Sequence, residues 1–222
     1  MRPEERISNQ FNREKYLATR KISWMALNAL ASSIKVGMNE IEANLLCEKI
    51  YQQMGIEKKW HKNRIRFGRN TLLSFKAPSD ARVKLQPNDI FFIDLGPIVN
   101  NHEGDVGKTF VLGNDPEMLR CQKDVEEMFY ELRKFWIEQK PSGIELYAAA
   151  EKSAIRRGWL LNLDLAGHRI GDFPHALWHK GSLKDFDGNP QTLLWVLELQ
   201  LRHPTKEWGA FFEDILMTAD PT

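Results

Sequence analysis

Two carboxylates inside one apolar hairpin constrain the fold of this sequence more than any other feature. The stretch DIFFIDLGPIVNNHEGDVGKTF, residues 89–110, begins as a strand and places Asp94 among apolar side chains. A second acid, Asp105, follows a predicted turn at residues 100–104. A hairpin folded about residues 99–100 would put the two acids opposite each other, where like charges repel. Burial would make the ionised forms costlier still.

Three arrangements would make this pair of acids stable: a shared proton, a basic partner, or a metal ion between the carboxylates. The purely structural alternative has the Asp94 carboxylate bonded to the backbone and Asp105 capping a turn. The hairpin alone does not choose between a metal site and this structural alternative.

The C-terminal half of the sequence carries further acids and histidines in comparable settings. Glu198 stands inside the apolar run WVLELQL, and Glu213 stands inside GAFFEDILM. His168 and His175 lie seven residues apart in the glycine-flanked stretch AGHRIGDFPH. Four acids embedded in apolar strands, with a histidine beside glycines, are hard to explain as independent structural accidents. Oxygen-rich ligation with one imidazole suits Mn²⁺, Fe²⁺, Co²⁺ or Zn²⁺ in a site of two metal ions.

The predicted elements repeat weakly along the chain. Apolar periodicity predicts four helices, over residues 16–34, 40–54, 115–139 and 144–157. The helix IEANLLCEKIYQQMG, from Ile41, aligns with IELYAAAEKSAIRRG, from Ile144, and each precedes an apolar strand that holds one acid. Two related halves would bring their strands into one sheet and point both acids at a shared centre.

Composition and charge limit the class of protein. With 222 residues, 42% hydrophobic and 27% charged, the chain has the size and balance of one large globular domain. A net charge of +1 favours neither nucleic acid nor an acidic membrane as a partner. Cys47 and Cys121 are interpreted as reduced thiols of a cytoplasmic protein. The polar N-terminus predicts no signal peptide, and no apolar run reaches the length of a membrane span.

The ordered set of acids and histidine resembles that of the pita-bread metallopeptidases, which include methionine aminopeptidases, Xaa-Pro aminopeptidases, prolidases and creatinase. IDLGPIVNNHEGDVGKTF is similar to the two-aspartate hairpin of that family, and GHRIG is similar to its GHGIG-type loop. The resemblance implies an α/β (α+β) fold with a curved, mainly antiparallel sheet, outer helices and pseudo-twofold duplicated halves. It further implies that residues 1–222 form one prolidase-like domain without an N-terminal creatinase-type domain.

The resemblance also implies a site and a reaction. The family's ligands to two divalent cations (Mn, Co, Fe or Zn) correspond in this sequence to Asp94, Asp105, His168, Glu198 and Glu213. Glu198 and His175 would be catalytic, and His175 and Arg169 would bind the substrate. The implied reaction resembles that of Xaa-Pro aminopeptidases and dipeptidases, in which a metal-bridging hydroxide cleaves the N-terminal peptide bond of a short peptide or a related small amide. The sequence leaves the oligomeric state open, with a homodimer as one candidate assembly.

The sequence departs from the family pattern at positions expected to contact the substrate, and it keeps the residues expected to bind the metal ions. Peptide-cleaving members carry a further histidine before the first aspartate, but TLLSFKAPSDARVKL contains none, and His61 is predicted to lie too far upstream. Arg169 stands where a glycine is common, and residues 176–178 stand where many members have an acid and a proline. A metal-binding but catalytically inactive interaction module is therefore the alternative function. The cluster of acids disfavours a creatinase-like, metal-independent hydrolase.

A basic segment precedes the hairpin. EKKWHKNRIRFGRN, residues 57–70, contains Trp60 and His61 and is predicted to be a solvated loop running into a strand. RNA or an acidic partner is the alternative interpretation of this segment, but the nearly neutral net charge favours the solvated loop. His102, in the hairpin turn, is predicted to lie at the surface or behind the metal ligands.

Overall fold

Four α-helices and ten β-strands make up the part of the chain that this computed structural model describes, residues 2–175 and 179–218. The helices are α1 (Arg13–Ser33), α2 (Glu40–Gln53), α3 (Pro116–Gln139) and α4 (Gly143–Arg156). The strands are β1 (Lys58–Lys59), β2 (Arg64–Phe67), β3 (Asp89–Leu95), β4 (Pro97–Val99), β5 (His102–Glu103), β6 (Val106–Leu112), β7 (Leu160–Leu161), β8 (His168–Arg169), β9 (Trp195–Arg202) and β10 (Gly209–Ile215). No helix in these described ranges is long and apolar enough to span a bilayer.

One seven-stranded sheet runs through the molecule. Its strands lie in the order β2-β3-β6-β10-β9-β7, and β8 pairs with β9 beside β7. A second sheet of three short strands, in the order β1-β4-β5, extends the hairpin that joins β3 to β6. All pairs between these strands are antiparallel, as the sequence predicts.

The order of elements repeats in the two halves of the chain. α3, α4 and β10 begin 103 residues after α1, α2 and β6, respectively. β6 and β10 lie side by side at the centre of the sheet, with β3 and β9 on their outer sides. The strand order is therefore symmetric about the contact between β6 and β10, as expected for a duplicated fold.

The equivalent helices α2 and α4 share their start and stop signals. Asn39 caps α2 and Ser142 caps α4, and each exchanges hydrogen bonds with a glutamate at the third helical position. This capping box satisfies two backbone donors that the helix itself leaves unpaired. Gly55 and Gly158 follow the two helices with φ values of +69° and +80°, the left-handed conformation that commonly ends a helix.

The helices cover one face of the sheet. One apolar cluster joins α1 and α2 to β2, β3 and β6, and another joins α3 and α4 to β9 and β10. Ile93 and Leu95 belong to the first cluster and flank Asp94, while Leu197 and Leu199 belong to the second and flank Glu198. Because side chains alternate between the two faces of a strand, both acids point away from the helices.

Candidate metal centre

The register of the sheet places three of the acids in one row. Asp94 on β3 pairs with Gly107 on β6, which in turn pairs with Glu213 on β10. Glu213 pairs with Glu198 on β9. Residues paired across neighbouring strands point to the same face of a sheet, so the three carboxylates share the face that lies opposite the helices.

A glycine at the centre of this row gives the acids room. A Cβ atom on Gly107 would lie 2.4 Å from the Phe211 ring and 2.9 Å from Glu213 Oε1. Both distances are shorter than a normal contact between nonbonded atoms. A larger residue at this position would displace the Glu213 carboxylate or the ring beside it.

Asp105 reaches the same face by a register that differs from the predicted one. The hairpin turns at Asn100 and Asn101, whose φ values of 52° and 60° suit a two-residue hairpin turn. This turn lies one residue later than predicted, so Asp94 pairs with Gly107 instead of Asp105. Oxygen atoms of Asp94 and Asp105 nevertheless lie within 4.8 Å of each other.

A cavity of about 230 Å³ opens on this face of the sheet. The five side chains predicted to bind metal all line it, and so does the predicted catalytic histidine at position 175. Their roles remain a prediction, but the structure brings them together. The complete lining is Trp60, His61, Phe75, Asp94, Asp105, Leu165, His168, His175, Glu198 and Glu213.

Contacts with backbone carbonyls orient two histidine rings of the cavity. His168 Nδ1 lies 2.8 Å from the carbonyl oxygen of Arg169, and His61 Nδ1 lies 2.9 Å from that of Lys62. A ring nitrogen that meets a carbonyl oxygen donates a hydrogen, which leaves Nε2 as the acceptor of the neutral ring. His168 Nε2 lies 2.8 Å from Asp105 Oδ2, and His61 Nε2 lies 3.2 Å from Asp105 Oδ1. Metal-bound histidines use their two nitrogens in this way.

Burial perturbs the acid–base properties of the cluster. Burial raises the pKa of Asp94 to about 6 and that of Glu198 to about 7, against the opposing effect of the nearby imidazoles. Burial also raises the pKa of Glu213, and the neighbouring carboxylates add to this effect. For Asp105, contacts with the two imidazoles outweigh burial and lower the pKa. Burial lowers the pKa of the two imidazoles, but the carboxylates outweigh it and raise both to about 9.

Several buried oxygen atoms of the cluster lack a hydrogen-bond partner within the described residues. Asp94 Oδ1, Asp105 Oδ2 and Glu213 Oε1 accept none, although the second lies close to His168 Nε2. The four carboxylates are between 1% and 7% exposed, and when all four are ionised the two imidazolium charges balance only half of their charge. Unpaired buried charge is strongly destabilising. Carboxylate and imidazole donors suit Mn²⁺, Fe²⁺, Co²⁺ and Zn²⁺, so these residues fit a divalent metal ion.

A buried glutamate holds the ring of His175. His175 Nδ1 lies 2.6 Å from Glu103 Oε2, and the backbone N–H of His175 donates to Glu103 Oε1 at 3.0 Å. The ring stacks 5.8 Å from His168 and meets the Trp60 ring edge-on at 5.1 Å. Because Nδ1 engages Glu103, Nε2 is the nitrogen left for a molecule in the cavity. Residues 176–178, where the sequence departs from the family pattern, lie outside the described residues.

The predicted role of Arg169 in substrate binding is corrected by its position. Arg169 is 1% exposed and does not line the cavity. Its guanidinium donates to the backbone carbonyl oxygens of Glu4, Arg6 and Leu194. Neighbouring side chains on a strand point to opposite faces, so the residue after His168 faces away from the cavity. Arg169 instead ties the N-terminal segment to the sheet.

The basic segment contributes to the cavity, contrary to the predicted solvated loop. β1 pairs with β4, and the Trp60 backbone N–H donates to the carbonyl oxygen of Gly96 at 3.0 Å. This pairing brings Trp60 and His61 next to the carboxylates. The prediction that His61 lies too far from the site is therefore wrong. The adjacent Trp60 and His61 within a basic segment were the only sequence signal for this contribution. Their position depends on the pairing of β1 with β4, which are distant in the sequence.

His102 is buried rather than exposed. It is 1% exposed, its Nε2 accepts a hydrogen bond from the backbone N–H of Asn12 at 2.9 Å, and its Nδ1 lies 2.8 Å from the Asn100 carbonyl oxygen. These contacts connect the hairpin turn to the beginning of α1. His102 therefore supports the hairpin that presents Glu103 and Asp105.

Comparisons with known sequences identify relatives of this chain. The model of metallopeptidase family M24 matches residues 14–219. A curated Xaa-Pro dipeptidase of Pyrococcus horikoshii is 28% identical over 160 residues, which are 72% of this chain and 42% of that protein. A curated Xaa-Pro dipeptidase of Pyrococcus furiosus matches with the same identity and coverage. The chain thus spans 42% of the length of these curated relatives.

Solved structures share the fold. The prolidase of P. horikoshii superposes with a TM-score of 0.73 at 22% identity, covering 92% of this chain and 58% of that one. The methionine aminopeptidase of Thermotoga maritima superposes with a TM-score of 0.71 at 14% identity, covering 96% and 95% of the two chains. These similarities confirm the predicted pita-bread fold. Since the family model covers nearly the whole chain, the protein belongs to metallopeptidase family M24.

Proposed function

We propose that this protein is a hydrolase that holds two divalent cations and cleaves the N-terminal peptide bond of a short peptide. The observation that carries the proposal is the convergence of four buried carboxylates and His168 on one cavity, with His175 at its wall. Family membership supports a peptide bond as the target. The curated relatives are Xaa-Pro dipeptidases, which makes an Xaa-Pro peptide the first substrate to test.

The carboxylates and His168 would hold the cations. Asp94 would bind one cation, His168 and Glu198 would bind the other, and Asp105 and Glu213 would contact both. One oxygen of Asp105 faces His168 while the other faces the Asp94 side of the cavity, as a shared carboxylate requires. When bound, such cations supply an acidified water at neutral pH and polarise the carbonyl that is attacked.

Glu198 would carry the proton that hydrolysis must move. Its Oε2 accepts a hydrogen bond from the backbone N–H of Gly167 at 3.2 Å, and the Tyr147 hydroxyl donates to the Glu198 carbonyl oxygen at 2.8 Å. The first bond holds the carboxyl group at the cavity wall, and the second holds the backbone that carries it. A carboxyl group held at the cavity wall is placed to take and return a proton during hydrolysis.

His175 would contact the substrate rather than a cation. The bond between its Nδ1 and Glu103 fixes the tautomer that carries hydrogen on Nδ1 when the ring is neutral. Its Nε2 would then accept a proton from the substrate when the ring is neutral, or donate to a substrate oxygen when the ring is protonated. Groups positioned in this way contribute roughly 10²–10⁴-fold to a rate.

The size and lining of the cavity favour a small substrate group. Its volume of about 230 Å³ lies below the ~300–1,000 Å³ of pockets that enclose drug-sized ligands. Trp60, Phe75 and Leu165 form an apolar wall beside the carboxylates. One end of a dipeptide or tripeptide therefore fits the cavity better than a folded protein surface does.

The proposal is tested by turnover. Purified protein loaded with Mn²⁺ or Co²⁺ is incubated with a panel of dipeptides and tripeptides, including Xaa-Pro and N-terminal methionine peptides, and free amino termini are quantified. Glu198→Gln protein in the same buffers is the control for contaminating peptidases. Release of the N-terminal residue by the wild type alone is expected. Full metal occupancy without turnover on any peptide would instead favour the alternative, a metal-binding interaction module.

A further inference from the structure

We infer that His61 is a metal ligand, so that each of the two cation positions carries one imidazole. The inference rests on the proposed dinuclear function, because it concerns the ligands of those cations. Two groups of donor atoms meet in the cavity, and in each group all atoms lie within 4.8 Å of one another. One group is His61, Asp94 and Asp105; the other is Asp105, His168 and Glu213.

The distances around His61 match those between two ligands of a single cation. Donors bound at about 2.0–2.2 Å, at angles between right-angled and tetrahedral, lie roughly 2.8–3.6 Å from each other. His61 Nε2 lies 3.2 Å from Asp105 Oδ1 and 3.5 Å from Asp94 Oδ1. Asp94 Oδ1 accepts no hydrogen bond within the described residues, so this oxygen remains available to a cation.

The protonation pattern of the ring agrees with ligation. His61 Nδ1 lies 2.9 Å from the Lys62 carbonyl oxygen, which fixes hydrogen on that nitrogen. His168 makes the equivalent contact with the Arg169 carbonyl oxygen at 2.8 Å. In both residues a carbonyl contact on Nδ1 leaves Nε2 for a metal, the arrangement that raises the basicity of a ligating imidazole.

The backbone holds His61 at this position. The pairing of β1 with β4 and the bond from the Trp60 N–H to Gly96 fix the segment on the hairpin that carries Asp94 and Asp105. The Trp60 ring packs 4.3 Å from the His61 ring, and its Nε1–H donates to the Gly104 carbonyl oxygen at 2.9 Å. The His61 side chain is only 7% exposed.

A glycine makes room for this ring. A Cβ atom on Gly96 would lie 2.0 Å from His61 Cδ2 and 2.1 Å from His61 Nε2. The φ of Gly96 is not in the positive range that disfavours other residues, so alanine is compatible with the backbone there. Gly96→Ala should therefore displace the imidazole while keeping the histidine in the sequence.

The experiment counts imidazole ligands by proton NMR of the protein loaded with Co²⁺ alone. A histidine bound to high-spin Co²⁺ through Nε2 retains its Nδ1–H, whose strongly shifted resonance disappears in deuterated water. The wild type should show two such exchangeable resonances. His61→Ala should keep one, His168→Ala should keep the other, and Gly96→Ala should lose the resonance that His61→Ala loses.

His203→Ala is the matched control. The His203 side chain is also 7% exposed, but it packs against Trp159 and Trp208 outside the cavity. This variant should keep both resonances. Thermal unfolding of each metal-free variant checks that it folds, and His61→Gln serves if the alanine variant does not. Calorimetric titration with Co²⁺ should show one of two binding events weakened by at least about tenfold in His61→Ala, the lower end of the loss for outer-shell partners.

The outcomes separate this inference from the proposed function. Wild-type protein that binds Co²⁺ but shows a single exchangeable resonance, lost in His168→Ala, would overturn the role of His61 and leave the proposed function intact. Two resonances retained in folded His61→Ala protein would overturn it as well. Wild-type protein that binds no Co²⁺ would instead refute the proposed function itself.

Discussion

The two halves of the sheet supply their acids in the same way and their histidines in different ways. Asp94 and Glu198 each stand on a long strand, β3 and β9, at matching distances from the centre of the sheet. His168 lies on β8, which pairs directly with β9. His61 instead follows β1, which pairs with the separate extension of the hairpin. Long central strands thus preserve a repeated geometry that the short segments at their edges do not share.

A difference in chemistry accompanies this difference in structure. Both strand acids line the cavity, but Glu198 also accepts a backbone hydrogen bond from the glycine before His168. The described contacts of the Asp94 carboxylate are with the side chains of the cluster. We therefore expect proton transfer to depend on the C-terminal half, while both halves contribute to metal binding.

The largest loss of activity is expected from substitution of Asp94 or Glu198, the acids on the two long strands. Glu198→Gln should lower kcat by more than the roughly 10²–10⁴-fold of proton transfer alone, because the change also removes a metal ligand. In metal-free protein at pH 8 it should be neutral or slightly stabilising, since repulsion among the buried carboxylates falls. Steady-state kinetics at saturating Mn²⁺ and thermal unfolding measure the two effects.

Asp94→Asn is the matched variant in the other half. It removes one charge from the corresponding strand, so it should also weaken metal binding, but excess metal should restore part of its kcat. Equal and complete loss of kcat in both variants at saturating metal would contradict the assignment of proton transfer to Glu198.

A smaller loss of activity is expected from substitution of His175 or Glu103, which contact each other across the two halves of the chain. His175→Ala should lower kcat by roughly 10²–10⁴-fold with full metal content. Glu103→Gln should lower it less, by about 10–100-fold, the loss typical of a partner that orients a functional histidine. Turnover and metal content of both variants give the answer, and an unchanged rate in His175→Ala would show that this ring is structural.

The smallest effect concerns the stability of the metal-free protein. Because the pKa of His61 and His168 rises from 6.5 to about 9 on folding, their stabilisation is complete below pH 6.5 and is lost as pH rises through 9. The raised pKa values of Asp94 and Glu198, about 6 and 7, also make stability fall as pH rises, over a lower pH range. Stability should fall by on the order of 1–3 kcal/mol between pH 6 and 9.

Denaturant unfolding at several pH values measures this dependence. His61→Ala and His168→Ala should each flatten it, since one histidine from each half contributes. Saturating Mn²⁺ should reverse it, because the cations replace the protons of the cluster and bind more tightly at high pH. A stability that rises with pH in the absence of metal would contradict the assigned pKa directions.

The sequence predicted the features that depend on local pattern. Apolar runs located the strands, and an acid inside such a run marked Asp94, Glu198 and Glu213, because burial of a lone carboxylate needs a compensating partner. Apolar periodicity located the four helices, and the structure adds the capping residues Asn39 and Ser142, which act within one turn. The turn at Asn100 was missed by one residue, which was enough to change the register of the hairpin by two.

The features that depend on distant pairings were not predictable in this way. His61 lies on a segment whose position follows from the pairing of β1 with β4, and no local pattern encodes that pairing. Arg169 stands beside His168 in the sequence, but strand alternation sends the two side chains to opposite faces. Adjacency to His168 therefore led to the wrong prediction that Arg169 lies at the cavity, and separation in the sequence led to the wrong prediction that His61 lies far from it.

The central proposal is that the protein holds two cations, one toward each half of the sheet, with Asp105 and Glu213 shared between them. Equilibrium dialysis against Mn²⁺, followed by metal analysis, tests it directly in the wild type, in Asp94→Asn and in His168→Ala. The wild type should bind two cations per chain, and each variant should keep one at a concentration that saturates the wild type. A wild type that binds no metal, or that holds a single cation lost in both variants, would contradict the claim.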